Sequence, residues 1–196
     1  AEAGLRNGMK YLRTFLSAVL AGMCISFGGV VFLALESKVL GAFFFTCGLF
    51  CVCTFGLKLF TGKVCYVFQN GRDYALELPV IWLGNLLGTM LTAGLMNASR
   101  IAPYAEKAAG MCQVKAEDSL GSLFLLGILC NIFIYIAVES FNKNPHELGK
   151  YLGLFFGVMV FILSGYEHCV ADMFYVSAAG AWSGDMLLRI LVITAG

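Results

Sequence analysis

Long apolar runs separated by short charged segments dominate the pattern of this chain. When the sequence is split at its charges, four uncharged stretches approach or exceed the length of about 20 residues that a membrane-crossing helix needs. The runs are continuous rather than alternating, which favours helices over the strands of a transmembrane barrel. The pattern predicts six membrane segments, at about residues 13–35, 39–69, 79–99, 119–140, 150–179 and 185–196, the last of them short for a span.

Charged residues interrupt the second and fifth segments. The interruptions are GLKLFTGK at residues 56–63 and SGYEHCVAD at residues 164–172. A shift of 109 positions places Lys58 on Glu167 and Lys63 on Asp172. Three segments in each half force the halves into opposite orientations, as in many channels and transporters whose broken helices meet near the midplane. We therefore predict one domain, residues 1–196, built as a 3+3 inverted repeat with halves at about 1–100 and 101–196 and with its second and fifth helices broken.

Composition agrees with a membrane location. Of the 196 residues, 60% are hydrophobic and 13% are charged, whereas a soluble domain is roughly 45–50% apolar and about 25% charged. The formal net charge is only +1. These values exclude a soluble enzyme, a disordered chain and a protein that binds nucleic acid by its charge. The fold class they predict is an all-α integral membrane protein.

Five ionisable side chains lie at the two interruptions. Each costs about 2.5–3.5 kcal/mol inside a span, so we expect them to face the protein interior, a cavity or one another. One hypothesis is two ion pairs, Lys58–Glu167 and Lys63–Asp172. In the alternative, Lys63 and Asp172 lie near opposite membrane surfaces and extend separately towards water. His168, the fifth group, has no evident counter-charge.

His168 has two interpretations. A single histidine is often a hydrogen-bonded core residue. Beside a helix interruption in a membrane, however, an ionisable residue is expected to be functional. A neutral imidazole can form hydrogen bonds and a protonated one can attract an anion. We favour a functional histidine.

Basic residues give a partial prediction of orientation. Arg6, Lys10 and Arg13 precede the first segment and favour a cytoplasmic N-terminus. The later loops carry bases on both sides and do not decide it. Small residues predict close helix packing, at the GxxxG of Gly84 and Gly88 and at the triple glycine spacing of residues 149–157.

The interrupted segments also carry a family resemblance. Residues 59–62 (LFTG), 127–131 (GILCN) and 165–168 (GYEH), followed by Asp172-Met173, resemble the formate/nitrite transporter family. Within that family the chain is most similar to the bacterial hydrosulfide ion channels. The resemblance implies an aquaporin-like fold, a homopentamer in the bacterial cytoplasmic membrane and a pore through each protomer.

The resemblance also implies roles for individual residues. His168 is similar to the central pore histidine, and Thr61 to the threonine that faces it. Asn131 and Lys115 match residues close to that polar site. Two apolar constrictions are implied on either side, formed by Phe45, Leu49, Leu59 and Phe161. The chain departs from the family at Lys58, usually acidic, at Lys63, usually uncharged, and at Asp172, usually asparagine.

The function expected is a channel for small monovalent anions of weak acids: hydrosulfide first, then formate or nitrite. An alternative is a proton-coupled secondary transporter of formate or nitrite. A membrane redox enzyme is a third class, but His146 and His168 are the only histidines and no CxxC pair occurs, so neither a haem nor a dithiol site is predicted. We interpret the eight cysteines as small hydrophobic residues. No cofactor, metal or nucleic acid is expected; the partners are the anions and membrane lipid.

Overall fold

The computed structural model describes the backbone of residues 2–196 and the side chains of residues 8–196. Arg6, one of the bases used to predict orientation, lies outside the described side chains. Within the described residues the chain is helical and has no strand. A 3₁₀ turn occupies Val67–Gln69, and the α-helices are α1 (Glu2–Ala34), α2 (Lys38–Thr54), α3 (Phe60–Val64), α4 (Arg72–Asn97), α5 (Tyr104–Glu117), α6 (Leu120–Lys143), α7 (Glu147–Ser164), α8 (Cys169–Ala178) and α9 (Gly184–Ala195).

Four helices are long and apolar enough to cross a membrane. They are α4, α6, α7 and the part of α1 from Gly8 to Ala34. Helices α2, α8 and α9 have 17, 10 and 12 residues, fewer than the about 20 that a span needs. The predicted all-helical architecture is confirmed. The count of six spans and the 3+3 inverted repeat remain predictions.

Helix α4 begins before the predicted membrane segment, because a charge inside the protein does not end a helix. The sequence predicts a segment from residue 79, after Glu77, but α4 begins at Arg72 and contains Pro79. Glu77 is 7% exposed and pairs with Lys10 of α1. The helix therefore continues through a carboxylate that is neutralised by a neighbouring helix.

Glycines in the left-handed conformation mark both interruptions. Gly56 follows α2 with φ of +63°, and Gly165 follows α7 with φ of +75°. Such a glycine commonly ends a helix, because a residue without Cβ adopts this conformation at little cost. A short helix resumes at Phe60 in the first case and at Cys169 in the second. The chain thus leaves the helix at the two places where charges interrupt the apolar pattern.

Close backbone contacts hold α1 against α4. A Cβ built on Gly88 would lie 2.1 Å from the Val19 carbonyl oxygen, and one on Gly22 would lie 2.3 Å from the Asn85 carbonyl oxygen. The Asn85 side chain crosses the same interface and donates to the Ala18 carbonyl at 2.8 Å. The predicted packing role of Gly84 and Gly88 is consistent with these contacts, since only a residue without a side chain permits them.

Helix α8 is enclosed by the rest of the chain. Every residue from Cys169 to Val176 is buried, and the helix packs against α1, α4, α5 and α9. Helix α5, which the sequence did not predict, joins α4 to α6 and packs on α8. The outer faces of the long helices carry exposed leucine and phenylalanine side chains, as expected of surfaces that meet lipid or another subunit.

Candidate functional site

His168 begins helix α8 and is almost fully buried, with 2% of its surface exposed. Its Nδ1 accepts a hydrogen bond from the Ala171 backbone N–H at 3.1 Å, which makes the imidazole the N-cap of the helix. A ring nitrogen that accepts a hydrogen bond carries no proton, so the neutral ring has its proton on Nε2. The cap therefore selects the tautomer.

The Thr61 hydroxyl oxygen is the hydrogen-bond acceptor for that proton. The Thr61 Oγ1 lies 3.0 Å from His168 Nε2, and because Nε2 carries the hydrogen, the threonine oxygen accepts it. The threonine hydroxyl hydrogen is then left to donate to a third group. Thr61, on α3, is 1% exposed. The two interruptions, distant in sequence, meet at this hydrogen bond.

Two buried phenylalanine rings lie beside His168. The Phe161 ring stacks on the imidazole with centroids 5.5 Å apart, and the Phe45 ring meets Phe161 edge-on at 6.2 Å. Both phenylalanines are 2% exposed. A cavity of about 140 Å³ begins at these rings and is also lined by His168 and Lys115. It opens beside the N-terminal end of α2, where Lys38 forms part of its wall.

Two buried leucines lie towards the C-terminal end of α2. Leu49 follows Phe45 by one helical turn on α2, a rise of about 6 Å, so both point from the same face of the helix. Leu49 and Leu59 are each 1% exposed. They line a second cavity, of about 80 Å³, together with Gly62 and Lys63. This cavity lies at the C-terminal end of α2, so the buried histidine and threonine separate two cavities at opposite ends of one helix.

Lys115 forms a buried ionic cluster next to His168. Its Nζ lies 2.8 Å from a Glu167 carboxylate oxygen and 3.2 Å from an Asp172 carboxylate oxygen. Burial alone would lower the pKa of the Lys115 ammonium, but the carboxylates of Asp172 and Glu167 outweigh that effect and raise it. Glu167 precedes His168, and Asp172 follows it by one turn, so the lysine secures the start of α8 to α5.

The cluster corrects the predicted ion pairs, because both acids take Lys115 of α5. Lys58 instead lines a separate surface cavity with Lys10, Arg13 and Glu77, and its backbone N–H donates to Ser17 at 3.2 Å. Lys63 lines the aliphatic cavity. The repeat relation identifies equivalent positions, but it does not take into account helix α5, which lies between the halves in sequence. Lys115 of that helix is the partner of both acids.

Asn131 lies on α6 and is not among the residues that line either cavity. Its backbone carbonyl accepts from the Cys65 thiol at 4.0 Å. Its side-chain amide oxygen is buried without a hydrogen-bond partner in the described part of the chain. The side chain borders a different groove, with Ile128 and Tyr135. The structure therefore joins His168 to Thr61 and places His168 and Lys115 in the wall of one cavity with Phe45 and Phe161, whereas Asn131 lines a different groove.

The sequence analysis missed Asn85, which supports the site from α4. Its amide donates to the Lys58 carbonyl at 3.0 Å and accepts from the Phe60 N–H at 2.8 Å. These bonds hold the first interruption against α1 and α4 immediately before Thr61. A fully buried asparagine in an otherwise apolar span is the signal that could have identified it, because such an amide must find partners inside the protein.

Comparisons with known proteins find relatives along nearly the whole chain. A sequence profile described as "Formate/nitrite transporter" matches residues 1–194. The chain is 28% identical over 208 residues to the uncharacterized transporter YrhG of Bacillus subtilis, covering 91% of this chain and 77% of that protein. It is 29% identical over 197 residues to the formate channel FocA of Escherichia coli K12, covering 89% of this chain and 69% of that protein.

Two solved structures share the fold. One, described as an FNT family ion channel, has a TM-score of 0.83 at 22% identity and covers 94% of this chain and 83% of that chain. The other, described as a pentameric formate channel with formate bound, has a TM-score of 0.76 at 24% identity, covering 92% and 81%. At these identities the likeness establishes the arrangement of the helices.

Proposed function

The chain belongs to the formate/nitrite transporter family, and from that premise we propose that it is a channel for small monovalent anions of weak acids. The observation that carries the proposal is the His168–Thr61 hydrogen bond, buried between two apolar constrictions with a cavity beyond each. An anion passing from one cavity to the other must cross about one helical turn of protein. Thr61 of α3 and His168 of α8 provide the two polar side chains at this level.

The polar pair replaces water that the anion loses. An anion stripped of its hydration shell needs donors inside the barrier. The Thr61 hydroxyl hydrogen is one such donor, because its oxygen already accepts from His168. The N-terminal end of α8 adds a partial positive charge near the ring. Both features favour an anion over a cation.

The neutral imidazole suits weak acids. Hydrosulfide, formate and nitrite can each take a proton from water in a cavity, leaving hydroxide behind, and cross an apolar ring as a neutral molecule. The side chains of both constrictions are 1–2% exposed, so the barrier must widen for any solute. Hydrosulfide has one heavy atom and needs the smallest widening, which places it first among the three anions.

The basic residues support an N-terminus on the cytoplasmic side. Lys58 lies with Lys10 and Arg13 around one cavity, and Lys63 lies in the aliphatic cavity at the same end of α2. They add two positive charges to the side that carries the start of α1, and an excess of bases is typical of the cytoplasmic face. We place the chain in the bacterial cytoplasmic membrane with the aliphatic cavity open to the cytoplasm.

A pentamer is the assembly we propose. The support is the fold shared with the structure described as a pentameric formate channel, together with the exposed apolar faces of the long helices. Because each chain contains both cavities and the residues between them, each protomer has its own pore. Crosslinking of the protein in membranes should give species up to five chains.

Flux measurements in proteoliposomes test the function. We expect flux of hydrosulfide, formate and nitrite and little flux of chloride, which is not the base of a weak acid. Thr61→Val keeps the side-chain shape and removes the hydroxyl, so it should reduce flux at least tenfold. Thr92→Val, a buried threonine change on α4, is the matched control and should leave flux near the wild-type rate.

A test of His168 requires a substitution that keeps its role as the N-cap of α8 but removes its proposed role in transport. Asparagine is among the best N-cap residues, so His168→Asn should preserve the start of α8 while losing the ring and its bond to Thr61. We expect a folded protein with altered rate, anion preference and pH dependence. If all three are unchanged, His168 has no part in permeation. Saturable uptake driven by a pH gradient would instead identify the proton-coupled transporter.

A further inference from the structure

Two carboxyl groups share a single cation in the cluster beside His168. Glu167 and Asp172 lie 2.8 Å and 3.2 Å from the same Lys115 nitrogen. The three side chains are 9%, 3% and 5% exposed. If both acids were ionised, the cluster would hold an uncompensated negative charge away from bulk water, which is strongly unfavourable.

The hydrogen bonding of Asp172 points the same way. One of its oxygens faces Lys115, and the other is buried with no hydrogen-bond partner in the described residues. A charged oxygen buried without a donor costs more than a neutral hydroxyl buried without an acceptor, so this position favours the protonated acid. Two like charges in one site also oppose each other's ionisation, as in paired carboxyl sites.

We propose that Glu167 and Asp172 together hold one exchangeable proton at neutral pH, so that the cluster with Lys115 is electrically neutral. The proton belongs to the pair, because both acids face the same ammonium. The pair lines the cavity that begins at the Phe45 and Phe161 rings. Water in that cavity therefore provides the path by which the proton exchanges.

Other ionisable groups surround the pair. Besides Lys115, thiols approach from α5, α6 and α8, a phenol comes from α8, and His168 lies between the two acids in sequence. From α9, Arg189 donates to the Lys115 carbonyl at 2.8 Å. The groups are Lys115, Cys112, Cys130, Cys169, Tyr175, His168 and, at the cavity mouth, Lys38.

A consequence for transport rests on the proposed function. When the pH rises enough, the shared proton leaves to cavity water and both carboxylates are ionised. The cluster then carries a net negative charge beside the Phe45–Phe161 constriction. Because that charge repels an approaching anion, anion flux should fall with the loss of this proton, independently of any titration of His168.

Infrared difference spectroscopy of the reconstituted wild-type protein tests the shared proton directly. A neutral carboxylic acid has a C=O stretching band that shifts in D₂O and that ionised groups lack. We expect about one such buried group per protomer at neutral pH and its loss at alkaline pH. Absence of the band in the wild-type protein at neutral pH would overturn the proposal, whatever the variants do.

Two variants assign the band. Asp172→Asn and Glu167→Gln each leave one carboxylate with Lys115, a neutral cluster that should fold, and each should abolish the band. Asp118→Asn removes a carboxyl at the start of α6, outside the cluster, and should leave the band in place. A band that survives both cluster variants places the proton elsewhere and refutes the assignment.

Flux separates this inference from the proposed function. In Asp172→Asn the negative charge cannot form, so the alkaline decline of anion flux should be at least threefold weaker than in the wild-type protein. If the band behaves as expected and no anion flux is found in any protein, the proposed function fails while the proton site stands. If anion flux is found but the carboxylic acid band is absent, the shared proton is refuted while the proposed function stands.

Discussion

Adding one methyl group at Gly88 should separate α1 from α4. The Cβ of Gly88→Ala would lie 2.1 Å from the Val19 carbonyl oxygen and 3.0 Å from the Met23 nitrogen, where ordinary contact begins at 3.4 Å. The atoms it meets are backbone, so no side chain can rotate away. The helices must move apart by about 1.3 Å at this level for the oxygen contact to become ordinary.

The structure allows the cost to be estimated. Overpacking of this kind costs about 1–3 kcal/mol. The same separation would stretch the 2.8 Å bond from Asn85 to the Ala18 carbonyl beyond hydrogen-bonding distance. Loss of a buried hydrogen bond adds about 1–3 kcal/mol. We therefore expect Gly88→Ala to lower the free energy of unfolding by about 2–6 kcal/mol.

Gly94 on the same helix supplies the control. A Cβ at Gly94 meets nothing within 4 Å, and alanine is a better helix former than glycine by about 1 kcal/mol. Gly94→Ala should therefore keep or raise the melting temperature in detergent, whereas Gly88→Ala should lower it by several degrees or more. Equal melting temperatures for the two variants would show that the α1–α4 contact is not close-packed and would refute the reasoning.

Three further predictions concern the site. Lys115→Met should lower the free energy of unfolding by about 3–5 kcal/mol, because it leaves two buried acids without their cation. Thermal unfolding measures this change. The control Lys107→Met breaks the exposed pair with Glu36 and should change the melting temperature little. Leu49→Ala should open the aliphatic constriction, raising formate flux relative to hydrosulfide flux at a stability cost of about 2–5 kcal/mol; an unchanged flux ratio would remove Leu49 from the barrier. Asn85→Leu removes three hydrogen bonds at similar volume and should reduce flux and stability together, so full flux in the variant would show that Asn85 does not position Thr61.

The sequence could predict the class of the fold because lipid restricts the choice of backbone. Continuous apolar runs must be helices, since each backbone polar group needs a partner inside the segment. The same restriction located both interruptions, because charges and glycines are tolerated at membrane depth only where the chain is buried or lines a cavity. Gly56 and Gly165 end α2 and α7 with positive φ, as the interrupted pattern indicates.

Partners across the fold could not be predicted in the same way. The repeat relation between residues 58 and 167 describes equivalent positions, but contact depends on which helix lies between them. Helix α5 has little apolar periodicity, so its sequence did not identify it as a packed element. Lys115 nevertheless lies on it and is 5% exposed. Only the tertiary structure shows that one lysine serves both acids.

The sequence alone does not predict which ring nitrogen of His168 carries the proton. The fold determines this through the helix cap. Nδ1 must remain an acceptor to hold the Ala171 N–H. Protonating the ring would turn that acceptor into a donor facing another donor, and it would add positive charge at the positive end of α8. A helix that starts at this residue therefore favours the neutral ring with its proton on Nε2. Thr61 then becomes the acceptor for His168, and its own hydroxyl hydrogen is the one that can meet an anion.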